Sequence, residues 1–186
     1  WLTAQGIGTE DAQCYSADVS ETNSIISAAQ ACMAAQGVPH VVIANAGISA
    51  GTGGATEPIN QKRLLFETNV TGVLNTALPA LEVMAAQTPG ADGLRGRIAV
   101  VSSVAAFVAA PGAPTYCATK AAVQRWAEAL DATERQRGIR LHAICPGYVR
   151  TPMTARNKFP MPFLMDADEA ARRTLAGLAR GKTRIA

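Results

Sequence analysis

The chain has 186 residues, of which 48% are apolar, 17% charged and 5% aromatic. A chain of this length buries enough surface for one hydrophobic core, so disulfides or a structural metal are not needed for folding. The net charge of +3 comes from 17 basic and 14 acidic side chains that are spread without runs. This balance argues against nucleic acid or an acidic membrane as the main partner.

The four cysteines form no Cys-x-x-Cys pair, and with two histidines they show no metal-ligand spacing. We therefore expect four reduced thiols in a cytoplasmic protein, with no metal site. The longest nearly apolar stretch, residues 98–110, is too short to cross a bilayer of about 30 Å as a helix, so no membrane segment is predicted. Trp1 is neither an initiator Met nor the start of a signal peptide, and we expect the chain to begin inside a longer protein.

The predicted elements alternate between strand and helix from the start. A strand-like run over 13–17 precedes a helix over 21–36, which Asp18 or Ser20 can cap. An apolar strand over 40–44 breaks into a glycine-rich loop that reaches residue 54, and a long helical region follows over 57–87. Pro79 should kink or divide that region, because proline removes a backbone donor and its ring clashes with the preceding turn.

The second half repeats the alternation. A buried strand is predicted over 97–102, a helix over 114–137 with Gly138 as a left-handed C-cap, and another strand over 140–145. A helix over 168–179, capped by Asp166 or Asp168, precedes a last strand over 183–186. Alternation with long connections predicts a single α/β domain, a doubly wound parallel sheet with helices on both faces.

Three loops of this predicted sheet converge on one site. Ligands of such sheets bind beyond the carboxyl ends of the strands, where the loops at Asn45, Ser103 and Pro146 must emerge. Tyr116 and Lys120 are four residues apart at the start of a helix, so they share one face. A nearby cation favours phenolate, and we expect it to lower the pKa of Tyr116 and make this residue a candidate general acid/base.

Each of these residues also has a simpler interpretation. The Tyr116 and Lys120 pair taken alone is compatible with an ordinary surface contact. Ser103, thirteen residues before Tyr116, can hydrogen-bond a substrate carbonyl or be a simple turn hydroxyl. Asn45 can close the turn after its strand, and Asn69 can bend the long helix or hold a water.

A series of short motifs runs along essentially the whole chain in a fixed order. They are Asp18-Val19, Asn45-Ala46-Gly47, Asn69, Ser103, Tyr116-Cys117-Ala118-Thr119-Lys120 and Pro146-Gly147-Tyr148-Val149-Arg150-Thr151. In this order and spacing they resemble the common branch of the short-chain dehydrogenase/reductase (SDR) family, whose fold is Rossmann-like. The resemblance implies an oxidoreductase that transfers hydride between NAD or NADP and a small alcohol or carbonyl substrate.

The resemblance also implies roles for individual residues. Tyr116 would exchange a proton with the substrate oxygen, which Ser103 would orient. Lys120 would hydrogen-bond the nicotinamide ribose and lower the pKa of the phenol, and Asn69 would keep a water in the proton relay. The remaining cofactor contacts would be made by two residues beside the adenine, three on the adenosine side and four along the nicotinamide: Asp18, Val19; Asn45, Ala46, Gly47; Pro146, Gly147, Val149, Thr151.

Further expectations follow from the same resemblance. The apolar residues Met153, Phe159, Met161, Phe163 and Met165 would form a substrate lid, and the two long helices would form a homodimer or homotetramer interface. Two other functions remain open, a nucleotide-binding or scaffold protein without turnover and an inactive fragment.

The chain departs from the family pattern at its start. Members open with a strand, a glycine-rich turn and a helix that bind the cofactor pyrophosphate. Gly6-Ile7-Gly8 is not that turn, because no buried strand precedes it. We expect roughly forty to fifty residues before Trp1 and a final strand beyond Ala186, and the sequence offers no choice between NAD and NADP.

Overall fold

Four parallel strands form one sheet in chain order in the structure, a computed structural model that describes residues 12–52, 55–157 and 159–186. The strands are β1 (Val41–Ala44), β2 (Gly96–Val101), β3 (Ile139–Ile144) and β4 (Arg184–Ile185). The register pairs Ala44 with Val100 and Val101 with Ile144, so the strands end at nearly the same level. Their carboxyl ends therefore form one edge, from which the loops that follow β1, β2 and β3 all leave.

Helices cover both faces of the sheet. They are α1 (Thr22–Gln36), α2 (Ile59–Phe66), α3 (Gly72–Ala86), α4 (Pro114–Glu134) and α5 (Ala167–Ala179), with a π-helical segment, Glu67–Thr71, joining α2 to α3. On one face, Val73 of α3 and Val123 of α4 pack against Val100. On the other face, Leu178 of α5 packs with Ala99 and Ile144. The predicted parallel sheet with helices on both faces is confirmed.

Most of the predicted elements are present within a residue or two of their expected bounds. Gly138 has the left-handed φ of 77° expected of the residue that closes the α4 region, and Asp166 is the N-cap of α5. The strand expected over 13–17 is wrong, because residues 12–17 have no regular structure. A strand depends on ladder bonds to a neighbour, and in the described residues β1 pairs with β2 and no ladder reaches 13–17.

Two local predictions about the helices are also wrong. Neither Asp18 nor Ser20 caps α1, whose N-cap is Glu21 without a side-chain hydrogen bond; the Asp18 carboxylate instead accepts from the backbone N–H of Ser20 at 2.9 Å. Of the two effects expected of Pro79, division of the long helical region is wrong, since α3 continues through it, and the kink stays a prediction. The irregularity lies at Glu67–Thr71, around Asn69.

Several sequence-based expectations concern absences or fall outside the described residues. No helix in the described part of the chain is both long and apolar enough to cross a membrane. The same residues hold no group of three or more His, Cys, Asp or Glu side chains arranged to bind a metal ion. The four cysteines are free. Gly6-Ile7-Gly8 and the end of the glycine-rich loop at residue 54 lie outside the described residues.

A buried carboxylate joins α4 to the last two strands. Asp131 accepts hydrogen bonds from Arg140 at 2.8 Å, Arg135 at 2.6 Å, the Leu141 amide at 3.0 Å and the Thr183 hydroxyl at 3.0 Å. Burial raises the pKa of this carboxyl, but the hydrogen bonds from Arg140, Leu141 and Arg135 outweigh it and lower the pKa to about 2. The carboxylate therefore stabilises the fold in its ionised form.

We expect Asp131→Asn to lower the free energy of unfolding by about 3 kcal/mol at pH 7, because it leaves Arg140 without its buried partner. The native pKa lies below the ordinary 3.8, so this stabilisation is complete above about pH 4 and is lost as the pH falls through about 2. Urea unfolding of the full gene product at several pH values measures both effects. Asp166→Asn, which breaks an exposed pair with Arg150, is the control, and an equal loss in both variants would contradict the prediction.

Candidate active site

The side chain of Asn69 holds the loop that follows β1. Its amide Nδ2 donates to the Ile48 carbonyl at 2.9 Å, and its Oδ1 accepts from the Ile48 N–H at 2.8 Å. Asn69 is fully buried and lies in the π-helical segment. Such wide turns are frequent at functional sites. The wide turn places a polar side chain at the carboxyl edge of the sheet.

Asn69 also contacts the helix that carries the predicted Tyr and Lys. Its Nδ2 donates to the Thr119 hydroxyl at 3.2 Å, and that hydroxyl donates to the Tyr116 carbonyl at 2.8 Å. Both amide protons of Asn69 are therefore used by Ile48 and Thr119. The long helix is locally π-helical at Asn69, and the Asn69 side chain joins the β1 loop to α4.

Lys120 reaches the end of β2. Its Nζ donates to the Val101 carbonyl at 2.8 Å, and the Ser102 hydroxyl donates to the carbonyl of Lys120 at the same distance. The side chain is buried, and burial lowers the pKa of the ammonium to about 8. Nζ lies 5.7 Å from the centre of the Tyr116 ring. Lys120 and Tyr116 thus share one helix face, as their spacing predicts.

The side chain of Ser103 lies near the phenol of Tyr116, and its interaction lowers the pKa of that phenol. The Ser103 hydroxyl also accepts from the Ala105 N–H at 3.1 Å and so caps a short 3-10 helix, Val104–Phe107. The backbone of Ser103 is extended, with φ of −170°. The turn interpretation of Ser103 is therefore confirmed, and its hydrogen bond to a substrate carbonyl stays a prediction.

The expected acidity of Tyr116 is wrong in direction. Burial raises the pKa of the phenol above its ordinary value, and the hydrogen bond with Ser103 lowers it by less. Removal from water disfavours phenolate more than one neighbouring hydroxyl favours it. Lys120 does not reverse this, because its ammonium lies over the ring and is itself destabilised by burial.

Gly47 allows the β1 loop to lie close to these side chains. A Cβ at this position would stand 3.2 Å from Lys120 Nζ and 3.3 Å from Asn69 Oδ1. A Cβ at this position would therefore require these polar atoms to move by a few tenths of an ångström. Asn45 and Ala46, just before it, are exposed at the end of β1. The sequence-predicted loop therefore lies beside Lys120 and Asn69.

The turn at Asp18 and Val19 is fixed against α3. Asn75 Nδ2 donates to the Val19 carbonyl at 2.9 Å, and Asn75 Oδ1 accepts from the Thr22 hydroxyl at 3.0 Å. A Cβ on Gly72 would lie 2.7 Å from the Val19 side chain, which explains why glycine stands there. This turn is anchored three residues along the helix from the π-helical segment that holds Asn69.

The loop after β3 lies next to Ser103. The Val104 N–H donates to the Pro146 carbonyl at 3.0 Å, and Gly147 is exposed, with open space where a Cβ would be. Farther along, Val149 forms a bridge with Met165, and the Thr151 N–H donates to the Thr154 hydroxyl at 3.0 Å. The predicted cofactor residues at 146, 147, 149 and 151 therefore belong to one loop at the carboxyl edge.

The expected apolar lid is exposed rather than part of the core. Phe163 is 96% exposed with φ of 58°, and Met153 and Phe159 are also largely exposed. The Phe159 ring meets that of Tyr148 edge-on, with centroids 6.0 Å apart. Met161 and Met165 are half-buried, with Met165 paired to Val149, so the five residues are not part of the core clusters, and their role as a substrate lid stays a prediction.

Sequence reasoning missed several residues that position the site. Thr119 and Ser102 each hydrogen-bond a residue of the predicted set or its backbone, and their only signal was adjacency to Lys120 and Ser103. Asn75 and Glu57 gave no signal, because their contacts are to distant parts of the chain.

Comparison with known proteins identifies the family. The sequence profile described as short chain dehydrogenase matches residues 2–160. An "Uncharacterized oxidoreductase" of Myxococcus xanthus (strain DK1622) is 33% identical over 168 residues, covering 90% of this chain and 64% of that protein. The oxidoreductase UcpA of Escherichia coli (strain K12) is 34% identical over 138 residues, covering 74% of this chain and 50% of that protein. The chain thus spans half to somewhat under two thirds of the length of these relatives.

A solved structure supports the same fold. A short chain dehydrogenase/reductase from Burkholderia phymatum, crystallised in complex with NAD, superposes with a TM-score of 0.78 at 23% sequence identity. The match covers 99% of this chain and 72% of that chain. At this identity the likeness shows the fold, the Rossmann-like sheet predicted from the sequence.

We expect Lys120→Met to raise the free energy of unfolding of the full gene product by about 2 kcal/mol at pH 7. In the folded wild type, lowering the pKa of Lys120 from 10.5 to about 8 means that the charged ammonium is destabilised by about 3 kcal/mol. The Met variant removes this cost, but it also loses the hydrogen bond to Val101, which offsets part of the gain. Because the pKa of Lys120 is lower in the folded than in the unfolded protein, burial of the charged lysine destabilises wild type most below pH 8. The stability gained by Lys120→Met therefore becomes smaller as the pH rises from 8 to 10.5. Chemical unfolding across this range, with exposed Lys182→Met as the control, measures it; a destabilised Lys120→Met protein would contradict the expectation.

Proposed function

Because the chain belongs to the short chain dehydrogenase family, we propose that it carries the catalytic residues of an NAD- or NADP-dependent oxidoreductase that interconverts an alcohol and a carbonyl compound. The observation that carries this proposal is the convergence of four side chains at the carboxyl edge of the sheet. Asn69, Ser103, Tyr116 and Lys120 come from three separate segments. Asn69 is linked to α4 through Thr119, Lys120 Nζ lies 5.7 Å from the centre of the Tyr116 ring, and the side chain of Ser103 lies near the phenol. Packing a helix on a sheet does not require this combination.

The residues at the crevice fit a dinucleotide cofactor. Lys120 Nζ gives one of its three donors to Val101, which leaves donors for the hydroxyls of a ribose. The exposed backbone at Gly147 has open space beside it, and the Gly47 backbone lies close to Lys120. When bound, NAD or NADP supplies the hydride donor or acceptor.

Contacts with that cofactor are assigned along the crevice. The adenine would lie by Asp18 and Val19 and the adenosine side by Asn45, Ala46 and Gly47. The residues along the nicotinamide would be Pro146, Gly147, Val149 and Thr151. The turn at Val19 is held by Asn75, and the loop at Gly47 is held through the contact between Asn69 and Ile48, so both surfaces are fixed by α3 or the segment preceding it.

Tyr116 is proposed to move the proton. Its phenol gives a proton to the oxygen of a carbonyl substrate or takes one from an alcohol, while the Ser103 hydroxyl orients that oxygen. Because the pKa of the phenol is raised by burial, Tyr116 is protonated at neutral pH, the form that donates to a carbonyl. The interaction with Ser103 opposes this shift in the pKa of the phenol.

The surroundings of the site favour an apolar substrate. Phe163, Phe159 and Met153 are exposed on the segment that follows β3, and Val104 and Phe107 are exposed just after Ser103. Apolar side chains exposed beside a polar site are typical of surfaces that bind apolar groups. We therefore expect longer-chain ketones and secondary alcohols to be better substrates than short ones.

A homo-oligomer is also part of this proposal. Apolar side chains of α2 and α3 are exposed, namely Ile59, Leu64, Phe66 and Leu78. A second copy covering these helices would remove them from water. Light scattering after gel filtration of the full gene product distinguishes a dimer or tetramer from a monomer.

The cytoplasmic location expected from the sequence stays a prediction.

Tyr116→Phe is expected to reduce kcat at least a thousandfold, because the variant keeps the ring and loses the only group proposed to transfer the proton. The full gene product is assayed by NADH and NADPH absorbance against a panel of ketones, aldehydes and alcohols. Tyr15→Phe is the matched control, since the Tyr15 hydroxyl bonds Gln13 and the Ala31 carbonyl. Turnover that survives intact in Tyr116→Phe would reject the acid/base assignment, and a wild type that binds neither cofactor would favour the scaffold function.

The proposed apolar lid is tested by Phe163→Ser. This change removes an exposed ring without disturbing the core. We expect it to lower kcat/KM for a long-chain ketone about tenfold and to leave that for acetone within twofold, since each buried methylene contributes about 0.8 kcal/mol. Equal losses for both substrates would show that Phe163 acts on something other than the substrate chain.

A further inference from the structure

Glu57 is a buried carboxylate that the proposed chemistry does not use. It is 4% exposed and lies two residues before α2 begins at Ile59. The Thr115 hydroxyl donates to Glu57 Oε2, and Gln61 Nε2 donates to Oε1 at 3.2 Å. Carboxylates are rarely buried to this extent without a specific partner. The partner here, Thr115, directly precedes Tyr116.

The first turn of α4 lacks a cap of its own. Its N-cap residue is Ala113, which has no side-chain oxygen, and Pro114 has no backbone N–H. The free N–H groups of a first helical turn carry a partial positive charge that an acidic side chain stabilises. Glu57 supplies that negative charge from another segment, and it reaches the turn through the Thr115 hydroxyl.

The loop that contains Glu57 contacts the approach to α4 at a second point. The Thr52 N–H donates to the Gly112 carbonyl at 2.8 Å. At its other end, the same loop is held by the pair of bonds between Ile48 and Asn69. Thr52 and Glu57 therefore each contact residues that lead into Tyr116, and Ile48 is held by Asn69.

We propose that Glu57 is a positioning residue for Tyr116. Through the Thr115 hydroxyl it fixes the first turn of α4, so that the phenol keeps its contact with Ser103 during proton transfer. The proposal rests on the proposed oxidoreductase function. The side-chain contacts of Glu57 are to Thr115 and Gln61, not to the residues assigned to the cofactor, and its effect is therefore expected in kcat, with binding unchanged.

Loss of this contact should cost turnover because proton transfer is sensitive to geometry. A displacement of about 1 Å at the reacting group can reduce a rate on the order of 100-fold. We expect Thr115→Val, which removes the hydroxyl and keeps the shape, to lower kcat about tenfold. KM for substrate and Kd for NADH or NADPH should stay within twofold of wild type. Thr115→Ser keeps a hydroxyl at the same atom and should restore most of the rate.

Glu57→Ala tests the other end of the contact. It should lower kcat by about the same factor as Thr115→Val. The double variant should be no slower than either single one, because both changes break the same hydrogen bond. Glu82→Ala, an exposed glutamate of α3, is the control and should leave kcat unchanged. Thermal unfolding of each variant, recorded alongside the kinetics, identifies any protein that fails to fold. If Glu57→Ala fails to fold, the comparison of Thr115→Val with Thr115→Ser tests the proposal.

The outcomes separate the two proposals. A wild-type full gene product that neither binds a nicotinamide cofactor nor turns over any substrate overturns the proposed function, and the positioning role with it. A wild type that turns over while Thr115→Val keeps full kcat overturns the positioning role alone. A variant whose KM and cofactor Kd rise while kcat is unchanged also overturns it, because the contact would then serve binding. A fall in kcat that Thr115→Ser reverses supports the role.

Discussion

The side-chain amide of Asn69 makes the pair of hydrogen bonds with Ile48 that a backbone peptide group would make in a sheet. It donates to the carbonyl of Ile48 and accepts from its N–H, the pair of bonds that a neighbouring strand would otherwise provide. Its second proton goes to Thr119 on α4. One residue therefore satisfies buried polar groups of the β1 loop and joins them to the helix that carries Tyr116. The π-helical turn at Glu67–Thr71 accompanies this arrangement, which places the irregularity of the long helix at Asn69 instead of Pro79.

The parallel sheet explains why so few segments suffice to build the site. Because the carboxyl ends of β1, β2 and β3 lie side by side, three loops that are distant in sequence leave from the same edge. Lys120 is tied to the end of β2 through Val101, and the residue after Ser103 is tied to the loop after β3 through Pro146. The turn at Val19 and the loop at Ile48 are held by the side chains of Asn75 and Asn69, which lie six residues apart on one continuous helical region. The hydrogen bonds that attach these loops and α4 to the sheet are thus the ones that position the candidate site.

Elements with a strong local pattern could be predicted from the sequence, and elements that depend on a partner could not. The continuous apolar run of β2 and the glycine that follows the α4 region are signals in the sequence itself, and the structure has a strand and a left-handed φ of 77° at these positions. Residues 13–17 have the composition of a strand, yet no neighbour pairs with them among the described residues. In the site, the spacing of Tyr116 and Lys120 on a helix predicts their proximity, but Glu57 and Asn75 act across long sequence separations that no local pattern reports.

The electrostatic balance of Tyr116 and Lys120 shows why proximity alone was a poor guide to acidity. A cation favours a phenolate only if the cation itself is stable, and here the same burial that raises the pKa of the phenol lowers that of the ammonium to about 8. The two groups are driven toward their neutral forms together, so the lysine loses its proton before the tyrosine does. An anionic phenol at this position must therefore be favoured by further contacts in the crevice. Ser103 is the one that the structure already provides, and its extended backbone holds the hydroxyl where the phenol can use it.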